Sequence, residues 1–397
     1  MDLEKIKIWA ARNLAVITEA RRHFHMYPEL GEKEFTTQRY ILDALNAEGI
    51  PCREIASTGV LAWVNGLAGG NVVAARGDID ALPLSEVSDA PYRSKNESVM
   101  HACGHDAHTA ILLGIAKFFR QHEKEFSGTV KFFFQPAEET VGGAKRMIEE
   151  GCLDDPAVDY VIGLHVMPQL DYDWIEIKHG AVNASTCEVD ITVKGKSGHG
   201  AYPDKGVDAI VIAAYIVSTL QSLVSRSVSP LDNAVLSFGI INGGEAPNII
   251  ADRVVINGTL RTLKETTRRR LCDYIREISC SLAKSMGGDC EVYVNEGYPS
   301  LVNNSEVVKL IESNAALYLG PDHVAYKEQA SMGGEDFSYF CEKTKGAFYN
   351  LGCRLNEREP YMPHTRNFDI VDRCLETGMV LQIMNILSLL SRPRGEL

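Results

Sequence analysis

The run Val130-Lys131-Phe132-Phe133-Phe134 places the tightest limit on the fold. A strand with one solvated face alternates apolar and polar residues, whereas this one is apolar at four of five positions. Such a strand needs cover on both faces, which helices on either side of a mostly parallel sheet provide. Asn71–Asp80 and Asp159–Val166 read as further strands. Between them, Gly104–Phe126 reads as a helix with Ile111, Leu112, Ile115, Phe118 and Phe119 on one face. Up to about residue 183 this alternation predicts an α/β domain.

The rhythm changes between residues 184 and 296. Glu188–Gly195 alternates like a half-exposed strand, and Asp208–Ser225 is helical. Ala234–Ile241 and Arg253–Leu260 are strands, Glu265–Ser285 a second helix and Asp289–Asn295 a last strand. The order β-α-β-β-α-β is the split βαβ, ferredoxin-like arrangement of an α+β domain. Glu306–Leu319, Gly346–Leu351 and Asp372–Leu390 then return to strand and helix runs. The expectation is a discontinuous α/β domain, 1-183 and 297-397, with a smaller domain, 184-296, inserted at an exposed surface.

Composition narrows the partners. With 40 Lys and Arg against 53 Asp and Glu, the chain carries −13 at neutral pH. A field of that sign repels phosphate backbones, so no nucleic acid partner is expected. The apolar stretches, Ala209–Leu220 among them, read as too short to span a bilayer. The charged start, Met1–Lys5, lacks the apolar core of a signal peptide. Ten scattered cysteines with no CxxC pattern read as reduced thiols, and the expected location is the cytoplasm.

Chemistry concentrates in a few short segments. His101-Ala102-Cys103-Gly104-His105-Asp106-Ala107-His108 packs three histidines, a cysteine and an aspartate into eight residues. Thiolate and imidazole together suit a borderline metal such as zinc. The other reading is a polar helix start with satisfied histidines. Gln135-Pro136-Ala137-Glu138-Glu139 follows an apolar strand, where active sites of open α/β sheets gather. One carboxylate there can bind metal while the other moves a proton; taken alone, the pair is a solvated loop. His165 ends another apolar strand, and Pro363-His364-Thr365 lies in a loop before the last helix. Asp78 and Asp80 alternate with Ile79 at the end of a strand and so point the same way. These segments can converge on one sheet edge as a two-metal hydrolytic centre. The inserted segment offers a glycine-flanked His199, Asn248 after Ala246-Pro247, and Arg261 at a strand end, suited to a carboxylate. Gly333 and Gly334 allow close backbone approach to a ligand.

In this combination the chain resembles the aminoacylase and carboxypeptidase G-type metallopeptidase family. The nearest branch holds N-acyl-L-amino acid amidohydrolases, hippurate hydrolases and indole-3-acetyl-amino-acid hydrolases. Arg22-His23-Phe24-His25, Pro28–Gly31, Arg76–Pro83, His101–His108, Gln135–Glu139, Leu164-His165, Gly198–Pro203, Ala246–Asn248, Gly333–Ser338 and Pro363–Thr365 carry the likeness in order along the chain. The resemblance implies two divalent metal ions per subunit, zinc first, with manganese, cobalt or nickel also suited. The implied ligands are Cys103 as a bridge, His105, Glu139, His165 and His364. It implies Glu138 as general base and acid for attack by a metal-bridged hydroxide on the amide of an N-acyl amino acid. It also implies Asp78 as an orienting residue, His199 as an oxyanion donor from a partner subunit, and Asn248, Arg261 and Gly334 as substrate contacts. The inserted domain is then a dimerisation and lid domain, and the protein a homodimer or a dimer of dimers. Wider relatives place a histidine ligand where this chain has Arg76 and an aspartate where it has Cys103. Competing expectations are a dipeptidase or carboxypeptidase, an N-acetyl-diaminopimelate-type deacetylase, and a non-catalytic, metal-stabilised binding protein.

Overall fold

The computed structural model describes residues 2–355 and 360–393. The chain divides into two compact units. The first comprises Met1–Gly180, Val302–Glu328 and Tyr339–Leu397, the second Ala181–Leu301 and Gln329–Ser338.

An eight-stranded sheet organises the first unit, in the order Cys52–Ile55, Gly59–Asn65, Ser127–Gln135, Leu67–Asp78, Tyr160–Met167, Lys345–Gly352, Ile175–Ile177, Val324–Tyr326. The four central strands run parallel, and the antiparallel pairings lie outside them. Val130, Phe132, Phe133 and Phe134 are all fully buried, as a strand covered on both faces requires. Even Lys131 is buried; its ammonium donates to the carbonyls of Cys152 and Asp154.

The helix after the histidine cluster spans His105–Gln121, shorter than the sequence reading, because the His122 ring donates to the Phe118 carbonyl at 2.8 Å and the chain turns away. It is buried almost all round rather than on one face, since helices Leu3–Met26 and Cys374–Leu390 pack against it. Part of the stripe marked by sequence periodicity meets those helices: Phe118 packs edge-on against Trp9, and Ile111 lies against Gly378.

The second unit has a four-stranded antiparallel sheet in the order Ala234–Gly243, Arg253–Thr262, Ser185–Lys194, Asp289–Glu296. With helices Ala209–Ser227 and Glu265–Ser285, this is the split βαβ arrangement. Val189, Ile191 and Val193 meet Ile212, Ile216, Leu271 and Ile275 in its core. The Ala209–Ser227 helix corrects one expectation. Asp208 caps its first turn by accepting from the N–H groups of Ile210 and Val211, and the helix runs 19 residues at mean hydropathy 1.5. By length and composition alone it reaches the membrane-spanning range, although its Ile212, Ile216, Leu220 face is buried in the core.

Candidate metal centre

Parallel register brings distant residues to one edge of the sheet. Asp78 pairs with Gln135, and Asn350 with His165, so their strands end side by side. Cys103 lies in the turn that enters the His105–Gln121 helix, and His105 is the first residue of that helix. Gly104 makes this turn with φ +85°, where a Cβ would stand 2.2 Å from the Val166 side chain. Glu138 and Glu139 follow the Ser127–Gln135 strand. His364 precedes the last helix with φ +64°, its N–H held by the Ala102 carbonyl at 2.7 Å. A non-glycine residue there persists only where its surroundings hold it.

The donor atoms fall into overlapping groups, each within 4.8 Å. Three of the groups are Cys103 with His105 and His165, Cys103 with Glu139 and His364, and His105 with Glu138 and Glu139. The Cys103 sulfur lies 3.2 Å from His165 Nε2, and His364 Nε2 lies 3.0 Å from Glu139 Oε1. The other ring nitrogens fix the tautomers. His105 Nδ1 donates to the Asp80 carbonyl at 2.9 Å, and His165 Nδ1 donates to the Val166 carbonyl at 2.7 Å. Each ring therefore turns Nε2 toward the centre, as metal-ligating imidazoles do. These thiol, imidazole and carboxylate donors are of the kind that would hold divalent cations, and Cys103 belongs to two of the groups.

Burial sets the protonation states of the donors. Without a cation, burial pushes the Cys103 thiol well above its usual range. A coordinated cation reverses that by deprotonating it. Burial, with His108 nearby, lowers His165 to about 3, so its imidazole is neutral and can ligate. Burial would raise the Glu139 carboxyl, but the hydrogen bond from His364 and the charge of His105 hold it below its usual value.

Asp78 and Asp80 both reach His105, as their alternation predicts. Asp78 Oδ2 lies 3.6 Å from Nε2 and Asp80 Oδ1 lies 3.2 Å from Nδ1. Asp78 is fully buried and also pairs with Arg76 and His108. Asp80, given no role in the sequence reading, holds two elements together, since its other oxygen accepts the Glu139 N–H at 2.9 Å. His108 is already engaged: the Val166 N–H donates to Nε2 at 2.9 Å, so Nδ1 donates to Asp78 at 2.6 Å. His101 is buried with neither ring nitrogen hydrogen-bonded, and burial lowers it to about 3.

The four remaining candidates belong to the second unit. His199 pairs with Ile249 across a short antiparallel bridge, and the neighbouring Gly200 N–H donates to the Asn248 carbonyl at 2.8 Å, so His199 and Asn248 lie together. Arg261 pairs with Thr186, and a Cβ on Gly334 would stand 2.5 Å from the Thr186 side chain, so Arg261 and Gly334 flank one residue.

A sequence profile of peptidase family M20/M25/M40 matches residues 74–383. The chain belongs to that family. It is similar to a putative amidohydrolase, YhaA, of Bacillus subtilis, with 40% identity over 91% of each chain. It is similar to an N-acetyl-L-cysteine deacetylase of the same organism, with 38% identity over 84% of this chain and 79% of the relative. Among solved structures, a dinuclear metal-binding M20 peptidase of Bacillus subtilis, YXEP, superposes with a TM-score of 0.82 at 31% identity, over 97% of this chain and 99% of that one. This M20 chain is a hydrolase of amide bonds with a metal-binding site.

Proposed function

We propose that the chain cleaves N-acyl amino acids, with an acetyl, benzoyl or aryl-acetyl group, to a carboxylate and a free amino acid. Two divalent cations per subunit serve the reaction, and zinc suits thiolate, imidazole and carboxylate donors best. One observation carries the reading: the Cys103 sulfur belongs to two donor triads at once, one completed by His105 and His165 and the other by Glu139 and His364. A structural site would be closed and would need no spare carboxylate, yet Glu138 stands within 4.8 Å of the donor atoms of His105 and Glu139.

When bound, the cations lower the pKa of a coordinated water and polarise the scissile carbonyl. Glu138 takes the proton of the attacking water and delivers it to the leaving nitrogen. Asp78 and Asp80 hold His105 in place. His199 of a second copy of the chain donates to the developing oxyanion. Arg261 takes the substrate carboxylate through paired N–H bonds, with Asn248 and the open backbone at Gly334 beside it.

The inserted segment, 184-296, is the dimerisation and lid body of this proposal, and a second copy of the chain is its partner. Ala234–Gly243 is an edge strand whose Ile240 and Ile241 are more than half exposed, and Tyr215 on the neighbouring helix is similarly open. A long apolar edge of this kind is a template for strand pairing across a two-fold axis. The ten cysteines, all free thiols, support a cytoplasmic location.

The test is amine release from N-acetyl-methionine, hippurate, an indole-acetyl-amino acid and a plain dipeptide. Each is assayed as purified, after chelation, and after zinc or manganese is restored. Hydrolysis of the acyl substrates that stops on chelation and returns with metal is expected. Preference for the dipeptide, or metal-bound enzyme inert on every substrate, would exclude the reading.

A further inference from the structure

The turn that carries Glu138 is held by a carboxylate from the other end of the unit's sequence. Glu34 occupies the N-cap position of the Phe35–Ala47 helix but makes no capping bond. Glu29 does that work, accepting the backbone N–H groups of Thr36 and Thr37 at 3.1 and 2.8 Å and the Thr37 hydroxyl at 2.9 Å. The Glu34 carboxylate is fully buried elsewhere. One oxygen accepts the Ala137 N–H at 2.8 Å and the other the Thr58 hydroxyl at 2.6 Å.

Ala137 directly precedes Glu138, and its φ is +55°, a left-handed conformation that alanine keeps only when its surroundings hold it. Its carbonyl is held as well, by the Gly142 N–H at 3.0 Å, and the Glu139 N–H is held by Asp80. The Pro28–Gly31 segment leans directly on this turn: a Cβ on Gly31 would stand 3.1 Å from Ala137 Cα. Burial lifts the Glu34 carboxyl to about 7.

We propose that Glu34 is a positioning residue for Glu138: by holding the Ala137 amide it fixes the left-handed turn that sets Glu138 beside His105 and Glu139. The proposal rests on Glu138 acting as the base. Because Glu29 caps the helix, removing the Glu34 carboxylate leaves that helix capped and acts on the turn.

Steady-state kinetics of the metal-loaded enzyme on its best N-acyl amino acid, with metal content by elemental analysis, separate the outcomes. Glu34→Ala is expected to lower kcat by about 10- to 100-fold through a displaced base, with KM and metal content held. Glu34→Gln can accept the Ala137 N–H with its amide oxygen and donate to Thr58 with its NH2, so it should recover kcat to within about threefold of wild type. Glycine takes φ +55° unaided, so Glu34→Ala should cost several-fold less in an Ala137→Gly background. If Glu34→Ala does not fold, Glu34→Asp, too short to reach both partners, takes its place.

Wild-type kcat in Glu34→Ala alongside an inactive Glu138→Gln overturns the role of Glu34 and leaves Glu138 as the base. Loss of metal together with activity, Glu34→Gln as impaired as Glu34→Ala, or an equal cost with Ala and Gly at 137 each overturn it as well. An active Glu138→Gln instead removes the reading of Glu138 on which the proposal stands.

Discussion

Glu138 and Glu139 are chemically identical neighbours, and their surroundings separate them. Glu139 is tied to His364 through its side chain and to Asp80 through its N–H, and it shares a donor triad with Cys103. Glu138 shares a group with His105 and Glu139 but not with Cys103. Replacing Glu138 with Ala is therefore expected to lower kcat by about 10² to 10⁴-fold, the range for a lost general base. Metal content by elemental analysis should stay at the wild-type level; near-normal rates at full metal would remove Glu138 from the chemistry. Cys103→Ala should do the opposite and lose metal first, because both triads pass through its sulfur. Full occupancy in that variant would take Cys103 out of the ligand set. Arg261→Ala is expected to raise KM about tenfold or more for substrates with a free carboxylate, as a lost charge-assisted pair should. An equal loss on the amidated substrate would contradict that role.

Between elements, one buried charge network centres on Arg21. This fully buried guanidinium on the Leu3–Met26 helix bonds Asp106 at 2.7 Å, beside His105, and Asp369 at 2.8 Å, in the segment after His364. It also reaches Asp372 at 3.4 Å, and Tyr92 donates to Asp369 at 2.8 Å. One side chain thus joins three parts of the chain, two of them next to candidate ligands. Removing one partner of a buried pair leaves the others uncompensated, so Arg21→Met should cost about 3–5 kcal/mol in denaturant unfolding. A loss under about 1 kcal/mol would show that the network relaxes around the gap.

His25 belongs to the same network, and it makes stability depend on pH. Burial alone would lower its pKa, but bonds to Asp106 and Glu86 raise it to about 8. The folded value lies above the unfolded value of about 6.5, so the stabilisation is complete below pH 6.5 and is lost as the pH rises through 8. The difference amounts to about 2 kcal/mol. Urea unfolding at pH 6 and pH 9 should show that loss in the wild type and not in His25→Asn; the same slope in both would move the effect elsewhere.

At the level of the whole molecule, the proposed pairing of two copies has its test at the exposed Ala234–Gly243 edge. If Ala234–Gly243 is the edge used by a second copy, Ile241→Glu should shift the sedimentation coefficient toward the monomer while leaving metal content unchanged. A charge on that edge costs little in a monomer, because Ile241 is 57% exposed, and much in a paired strand. An unchanged sedimentation coefficient would rule out this edge.

Sequence by itself determined the sheet-and-helix rhythm of both units and the residue types at the metal centre. Apolar periodicity acts over a few residues, and the affinity of thiolate and imidazole for a metal is a property of the side chains alone. The buried Val130–Phe134 strand and the Glu265–Ser285 helix were legible in this way; the set Cys103, His105, Glu139, His165 and His364 came from the resemblance to a family, and these residues share candidate donor groups. Tertiary structure decided how those residues are used. It committed His108 to Asp78 and the Val166 N–H, left the Nε2 atoms of His105 and His165 facing the centre, and made Asp80 the tie between His105 and Glu139. It also stopped one helix at Gln121 and extended another to Ser227. The bonds from Glu34 to Ala137 and from Arg21 to Asp369 span 103 and 348 residues. No local pattern encodes partners so far apart; parallel strands carry Ala137 and Asp369, in the segments that follow them, to one edge of the sheet, and helices outside the sheet bring Glu34 and Arg21 to meet them.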